Sequence, residues 1–233
     1  MRSPSAVSFF RAVSPPAAPL IVVFGVLAVG AAVLEGVESG ASDWVLASIA
    51  LVQLFASSTG FTRPATRGHY DTILLGRSRV SAALAHFAVS AAPGVAAWIA
   101  CGASQALATG SARVPAFLPA GWATILLVSA IPWAASVRSS PFLGGALWLL
   151  LSVSLVVSGR VLGPLGRLHA APSWAAEHPL EAFGLGLAFP LAIPSLEWPP
   201  GVPAAFAATA ALAVAGGVAI VARADYSLAE EGA

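Results

Sequence analysis

Residues 202–222, VPAAFAATAALAVAGGVAIVA, run from end to end without a charged side chain. An α-helix needs about 20 predominantly apolar residues to cross the hydrocarbon core of a bilayer, and this stretch meets that requirement. The same pattern recurs toward the N-terminus at residues 17–36, 44–61, 80–101, 116–137 and 141–162. At 1.5 Å of rise per residue, each stretch would be about 27–33 Å long, enough to span with modest tilt. The chain has 233 residues, 58% of them hydrophobic and only 9% charged. A water-soluble domain of this size could not hide that much apolar surface. The expected fold class is therefore all-α: a polytopic membrane protein of six transmembrane helices, forming a single transmembrane domain over residues 1–233.

Nearly all the charge falls between these stretches. A balance of 11 basic and 10 acidic residues argues against a nucleic-acid binder, and every basic residue is arginine. The single cysteine, Cys101, excludes an internal disulfide and a multi-cysteine metal site. One methionine and four histidines leave little with which to build a buried metal or haem site. So short a chain leaves no room for an appended catalytic domain. It also lacks the GxxxxGK[ST] loop that would cradle ATP, so no cofactor is expected in this chain and it is not expected to be an enzyme by itself.

Arginine placement sets an orientation. With the N-terminus in the cytoplasm, the inner segments hold eight arginines: Arg2, Arg11, Arg63, Arg67, Arg77, Arg79, Arg138 and Arg223. The outer segments hold three: Arg113, Arg160 and Arg167. This excess satisfies the positive-inside rule and places both termini in the cytoplasm of a cell-membrane protein. Arg2 and Arg11 before an apolar run also resemble a secretory signal. The run at 17–36 is long for one, and five more follow, so it is read as the first membrane helix. Within residues 1–16, Ala6, Phe9, Phe10 and Val13 share one side of a helical projection and Ser5, Ser8 and Arg11 the other. This is the pattern of a short interfacial helix, ended by Pro15-Pro16; a disordered tail is the alternative.

Two connecting segments stand out. Residues 61–79, FTRPATRGHYDTILLGRSR, place four arginines around a piece free of Gly and Pro. Tyr70, Ile73 and Leu74 fall at i, i+3 and i+4, one face of a two-turn helix. Asp71 lies in its first turn, where a carboxylate suits the helix dipole, and Gly68 and Gly76 can bound it. Residues 163–201 carry seven prolines (Pro164, Pro172, Pro179, Pro190, Pro194, Pro199 and Pro200), which forbid a long helix. Residues 180–193 are nonetheless mostly apolar, with Phe183 and Phe189. They are too short to span and fit a re-entrant or interfacial piece, with Trp174 and Trp198 suited to the headgroup level.

This layout resembles the membrane subunit of type-2 ABC transporters, the permease family of many exporters. Members often carry, after the second span, an Arg-Gly followed by an acidic residue, a Leu-rich stretch and a closing Ser-Arg. Here Arg67-Gly68 is followed by Asp71, Ile73-Leu74-Leu75 and Ser78-Arg79. Thr66 stands where the family usually has an acidic residue, and Gly76-Arg77 where a proline commonly precedes the closing serine. The resemblance implies that residues 61–79 form a cytoplasmic coupling helix seated on a separate P-loop ATPase, which would bind the ATP and Mg. Arg67, Gly68, His69, Tyr70, Asp71, Ile73 and Leu74 would then make the ATPase-binding surface. Arg67, Arg77 and Arg79 would stand at its rim or among membrane lipid phosphates. Two permease subunits, identical or paralogous, would enclose one path lined mainly by the second and fifth spans. The segment at 163–201 would shape its outer gate. A basic loop that only signals topology is the plainer alternative for residues 61–79.

Polar residues inside the spans allow two readings each. Gln53, with Ser57 one turn later, and Ser152 in the fifth span could line a path. Gln53 could equally bond a neighbouring helix, and that packing role is preferred. His86 could serve as a proton relay or haem ligand, with the external His169 and His178 as distant companions in a membrane redox subunit. A hydrogen-bonded packing histidine is preferred. Ser152, Ser154 and Ser158 form no GxSxG elbow. Ala207, Ala211, Ala215 and Gly216-Gly217 suit close helix approach in the last span. Pro93-Gly94, Pro119 and Pro132 mark places where the third and fourth spans can bend. A non-transporting membrane scaffold remains a further alternative.

Overall fold

The computed structural model describes residues 49–54, 57, 79–111, 113–114, 117–137, 173–188, 198–199 and 201–223. Among them every regular element is helical and there is no strand. Residues 49–54 and 57 are helical within the expected second span. Five further helices follow: α1 (Arg79–Thr109), α2 (Pro119–Ser136), α3 (Ser173–Glu177), α4 (Pro179–Ala188) and α5 (Gly201–Arg223). Of these, α1, α2 and α5 are long and apolar enough to cross a membrane. The expected spans at 17–36 and 141–162, the N-terminal segment 1–16 and the loop 61–78 lie outside the described residues.

Local chemistry explains where the long helices stop. Hydropathy ends the third span at Cys101, yet α1 continues to Thr109. Nothing between them halts a helix until Gly110, which takes the left-handed conformation at φ 64° that suits a helix terminus. Thr109 Oγ1 donates to the Gln105 carbonyl at 2.8 Å in that last turn. With 31 residues, α1 is about 46 Å long at 1.5 Å per residue, well beyond the thickness of a hydrocarbon core. The start of α2 is also a correction. Pro119 does not bend a helix begun at residue 116; it opens α2 as the first helical residue, where a missing N–H costs nothing. Pro132 does lie inside α2, as Pro93 lies inside α1. The expected span at 202–222 and α5 differ by one residue at each end.

The core forms around α2. It is apolar on all sides and mostly buried, whereas most of α5 is not, so among the described helices α2 is the central one and α5 a flanking one. On α5, Val202, Phe206, Ala210, Gly217 and Val221 form the buried stripe. Leu212 on α5 and Leu107 on α1 point away from it, 73% and 86% exposed. Large apolar side chains left bare on long apolar helices are what a lipid environment, rather than water, accommodates. Trp133 near the end of α2 meets His86 and Phe87 near the start of α1, so these helices are antiparallel. Trp133 also lies against Gly217 in the second half of α5, and Val202, Phe206 and Ala210 join the core with Ala120 and Ala123. Helices α2 and α5 therefore run parallel.

Candidate functional site

Two buried polar nodes and one aromatic cluster punctuate this core. The first node is built on Gln53, fully buried, with Ser57 and Ser90 buried beside it. Gln53 Nε2 donates to Ser57 Oγ at 2.8 Å and to the Ser90 carbonyl at 3.0 Å. The first bond is a one-turn contact within the same helical stretch; the second reaches α1. Pro93 and Gly94 create the place for it. An added Cβ at Gly94 would overlap the Gln53 carboxamide, so glycine is what lets that side chain lie against the α1 backbone. Gln53 Oε1 has no partner among the described residues, and neither do Ser129 Oγ on α2 or the side-chain amide of Gln105 on α1. A buried interhelical hydrogen bond contributes roughly 0.6–2 kcal/mol in a membrane protein.

The second node lies toward the other end of α1 from Gly110. Trp133 Nε1 donates to His86 Nδ1 at 3.0 Å, with both side chains buried. An imidazole that accepts at Nδ1 carries its proton on Nε2. The Phe87 ring packs edge-on against Trp133 at 5.2 Å, and Ala83, Val137 and Val221 close the cluster. On α5, a Cβ at Gly217 would stand 2.5 Å from Trp133 Cζ3 and 3.3 Å from the Ala134 Cα. The absence of a side chain at Gly217 thus lets α5 approach α2 at Trp133.

The aromatic cluster joins α3 and α4 to the start of α5. Phe206 stacks with Phe183 of α4 at 5.4 Å and meets Trp198 edge-on at 5.5 Å. Gly186 of α4 lies against the Phe206 ring, which a Cβ would overlap. Between α3 and α4 the His178 ring stacks on Trp174 at 5.1 Å, and its Nδ1 lies 3.2 Å from the Trp174 carbonyl. Pro179 then opens α4. Along α5 the rise from Phe206 to Gly217 is about 16 Å. His86 and His178 thus belong to opposite ends of the bundle.

Of the residues singled out from sequence, Gln53 and Ser57 meet at the first node. Arg67, Gly68, His69, Tyr70, Asp71, Ile73, Leu74, Ser152 and His169 lie outside the described residues. Arg79 opens α1. Sequence reasoning did not find Ser90, Trp133 or the steric roles of Gly94 and Gly186, whereas it marks Gly216-Gly217 for close helix approach and Gly217 is the one that makes it, against Trp133. Of the missed positions, Gly94 carried a signal, as part of a proline–glycine pair inside an apolar run. Among the described residues, no three His, Cys, Asp or Glu side chains group as metal ligands. Chemically, the described nodes hold helices in register. Comparison with protein-family models, curated proteins and solved structures finds no match to this chain.

Proposed function

We propose that this chain is the membrane-spanning permease subunit of an ABC-type exporter, driven by ATP hydrolysis in a separate P-loop ATPase. The observation that carries the reading is the Arg67-Gly68…Asp71…Ser78-Arg79 pattern, placed between a helical apolar stretch and α1, which starts at Arg79. Three helices that are long and apolar enough to span support the membrane setting. The parallel course of α2 and α5 supports a further crossing between them, and residues 141–162 are the apolar stretch available for it. Short helices α3 and α4, packed at the head of α5, agree with a broken external segment at 163–201.

In this reading six spans leave both termini in the cytoplasm of the cell membrane, behind an N-terminal interfacial helix. A second copy or a paralogue completes the path. Residues His69, Tyr70, Asp71, Ile73 and Leu74 seat on the ATPase, which holds ATP and Mg. Closure of the ATPase pair pushes on the loop, and the spans on either side transmit the movement.

The test is affinity purification of the full chain from its native membranes, with identification of a P-loop ATPase among the proteins that come with it. Asp71→Arg and Tyr70→Ala abolish capture while the bundle keeps its thermal unfolding midpoint. Undiminished capture by both variants removes the coupling role of this loop.

A further inference from the structure

The contact between Gln53 and α1 has the features of a joint. Pro93 has no N–H, so the Val89 carbonyl lacks its intrahelical donor and the ladder is weakened over that turn; the adjoining Ser90 carbonyl pairs in the ladder with the Gly94 N–H instead. Gly94 follows at once. An ideal Cβ on it would overlap the Gln53 carboxamide and lie 2.7 Å from Gln53 Cγ. The carboxamide fills the notch this leaves and donates to the Ser90 carbonyl, in the weakened turn, at 3.0 Å. Ser57 Oγ accepts from the same nitrogen at 2.8 Å and braces its rotamer.

We propose that Gln53 is an interhelical latch: seated on Gly94, it adds a second donor at the Ser90 carbonyl, next to the position that Pro93 leaves unbonded, and so holds α1 at one angle across Pro93. Two observations favour a latch over simple space filling. Gln53 Oε1 is buried and has no partner among the described residues, which hold the amide by its donor end. A residue chosen only for volume would carry no such cost, and an apolar side chain would fill the space without it. The connectivity is the second. The helical stretch with Gln53 leads into residues 61–78, and α1 leads out of them. The latch therefore ties together the two arms of that loop. Resting on the proposed docking role of the loop, this makes both arms respond to a push as one body, with the turn at Ser90–Gly94 as the place where α1 can bend.

A double-mutant cycle on the purified full-length chain in detergent tests the latch by thermal unfolding. Gly94→Ala in the parent expels the carboxamide and lowers the midpoint by about 3–6 °C. In a Gln53→Ala background the same substitution leaves the midpoint unchanged or raises it, because the obstructing side chain is gone and alanine favours a helix. Equal shifts in the two backgrounds overturn the latch. Gln53→Met, which keeps volume without a donor, serves should Gln53→Ala not fold. With it, amide hydrogen exchange around residues 90–94 accelerates about tenfold or more, as a protecting contact is lost. Unchanged exchange there overturns the latch as well. Both readouts use the isolated chain, so loss of the transporter reading would leave them unaffected.

Discussion

Trp133 on α2 and His86 on α1 are joined by a hydrogen bond from the indole N–H to imidazole Nδ1 across 3.0 Å, in a place closed to solvent. It secures the end of α1 that follows the loop. The same indole serves as the surface on which α5 comes closest, at Gly217. One side chain thus organises three helices.

Removing that donor while keeping an aromatic ring separates bonding from packing. Trp133→Phe destabilises the bundle by about 1–2 kcal/mol, the loss expected for one buried interhelical bond. Trp133→Ala costs about 3–5 kcal/mol, because a fully buried large ring is deleted as well. Thermal unfolding in detergent distinguishes them. A Trp133→Phe protein as stable as the parent would show that the hydrogen bond contributes nothing.

Adjacent glycines on α5 predict opposite outcomes. A Cβ at Gly217 would crowd the Trp133 ring and the Ala134 backbone, whereas one at Gly216 would meet nothing within 4 Å among the described residues. Gly217→Ala therefore destabilises by about 1–3 kcal/mol through overpacking. Gly216→Ala stabilises by up to about 1 kcal/mol, the helix propensity gained over glycine. Matching midpoints for the two variants would contradict the close approach of α5 to α2.

A similar contrast tests the docking of α4. Gly186 faces the Phe206 ring, while a Cβ at Gly184 would meet nothing among the described residues. Gly186→Ala loosens residues 173–188 and speeds their cleavage by protease severalfold, and Gly184→Ala leaves the rate unchanged. Equal cleavage in both variants would detach α4 from α5.

Orientation is open to chemical labelling. Cys101 is the only cysteine and is buried, so a Cys101→Ser background carries a single introduced thiol. Arg113→Cys, exposed between α1 and α2, reacts with a membrane-impermeant maleimide in intact cells. Arg223→Cys, exposed at the end of α5, reacts only after lysis. The reverse pattern would invert the proposed topology.

Helix α5 is almost fully legible in the sequence, because a charge-free run between Pro200 and Arg223 leaves a helix few places to begin or end. The far end of α1 is not. Gly102, Ser104 and Gln105 lower the apolar character after Cys101, but a helix continues through them until a residue such as Gly110 turns the backbone. Pro119 misleads for the opposite reason: proline reads as a break in an apolar run, although at the first helical position it is well accommodated. Gln53 and Ser57 draw notice by their one-turn spacing, yet nothing in that spacing names a partner in α1.

Composition and periodicity alone determined that the described elements are helical and that three of them are apolar enough to span a membrane, since burying or solvating so many apolar residues leaves few other solutions. Tertiary structure alone decided which glycines are contact surfaces, why Trp133 meets His86, and that α2 rather than α5 is the centre. Those outcomes depend on how helices meet across distances of dozens of residues. A local pattern carries the hydropathy of each helix but not the identity of the atoms it will face.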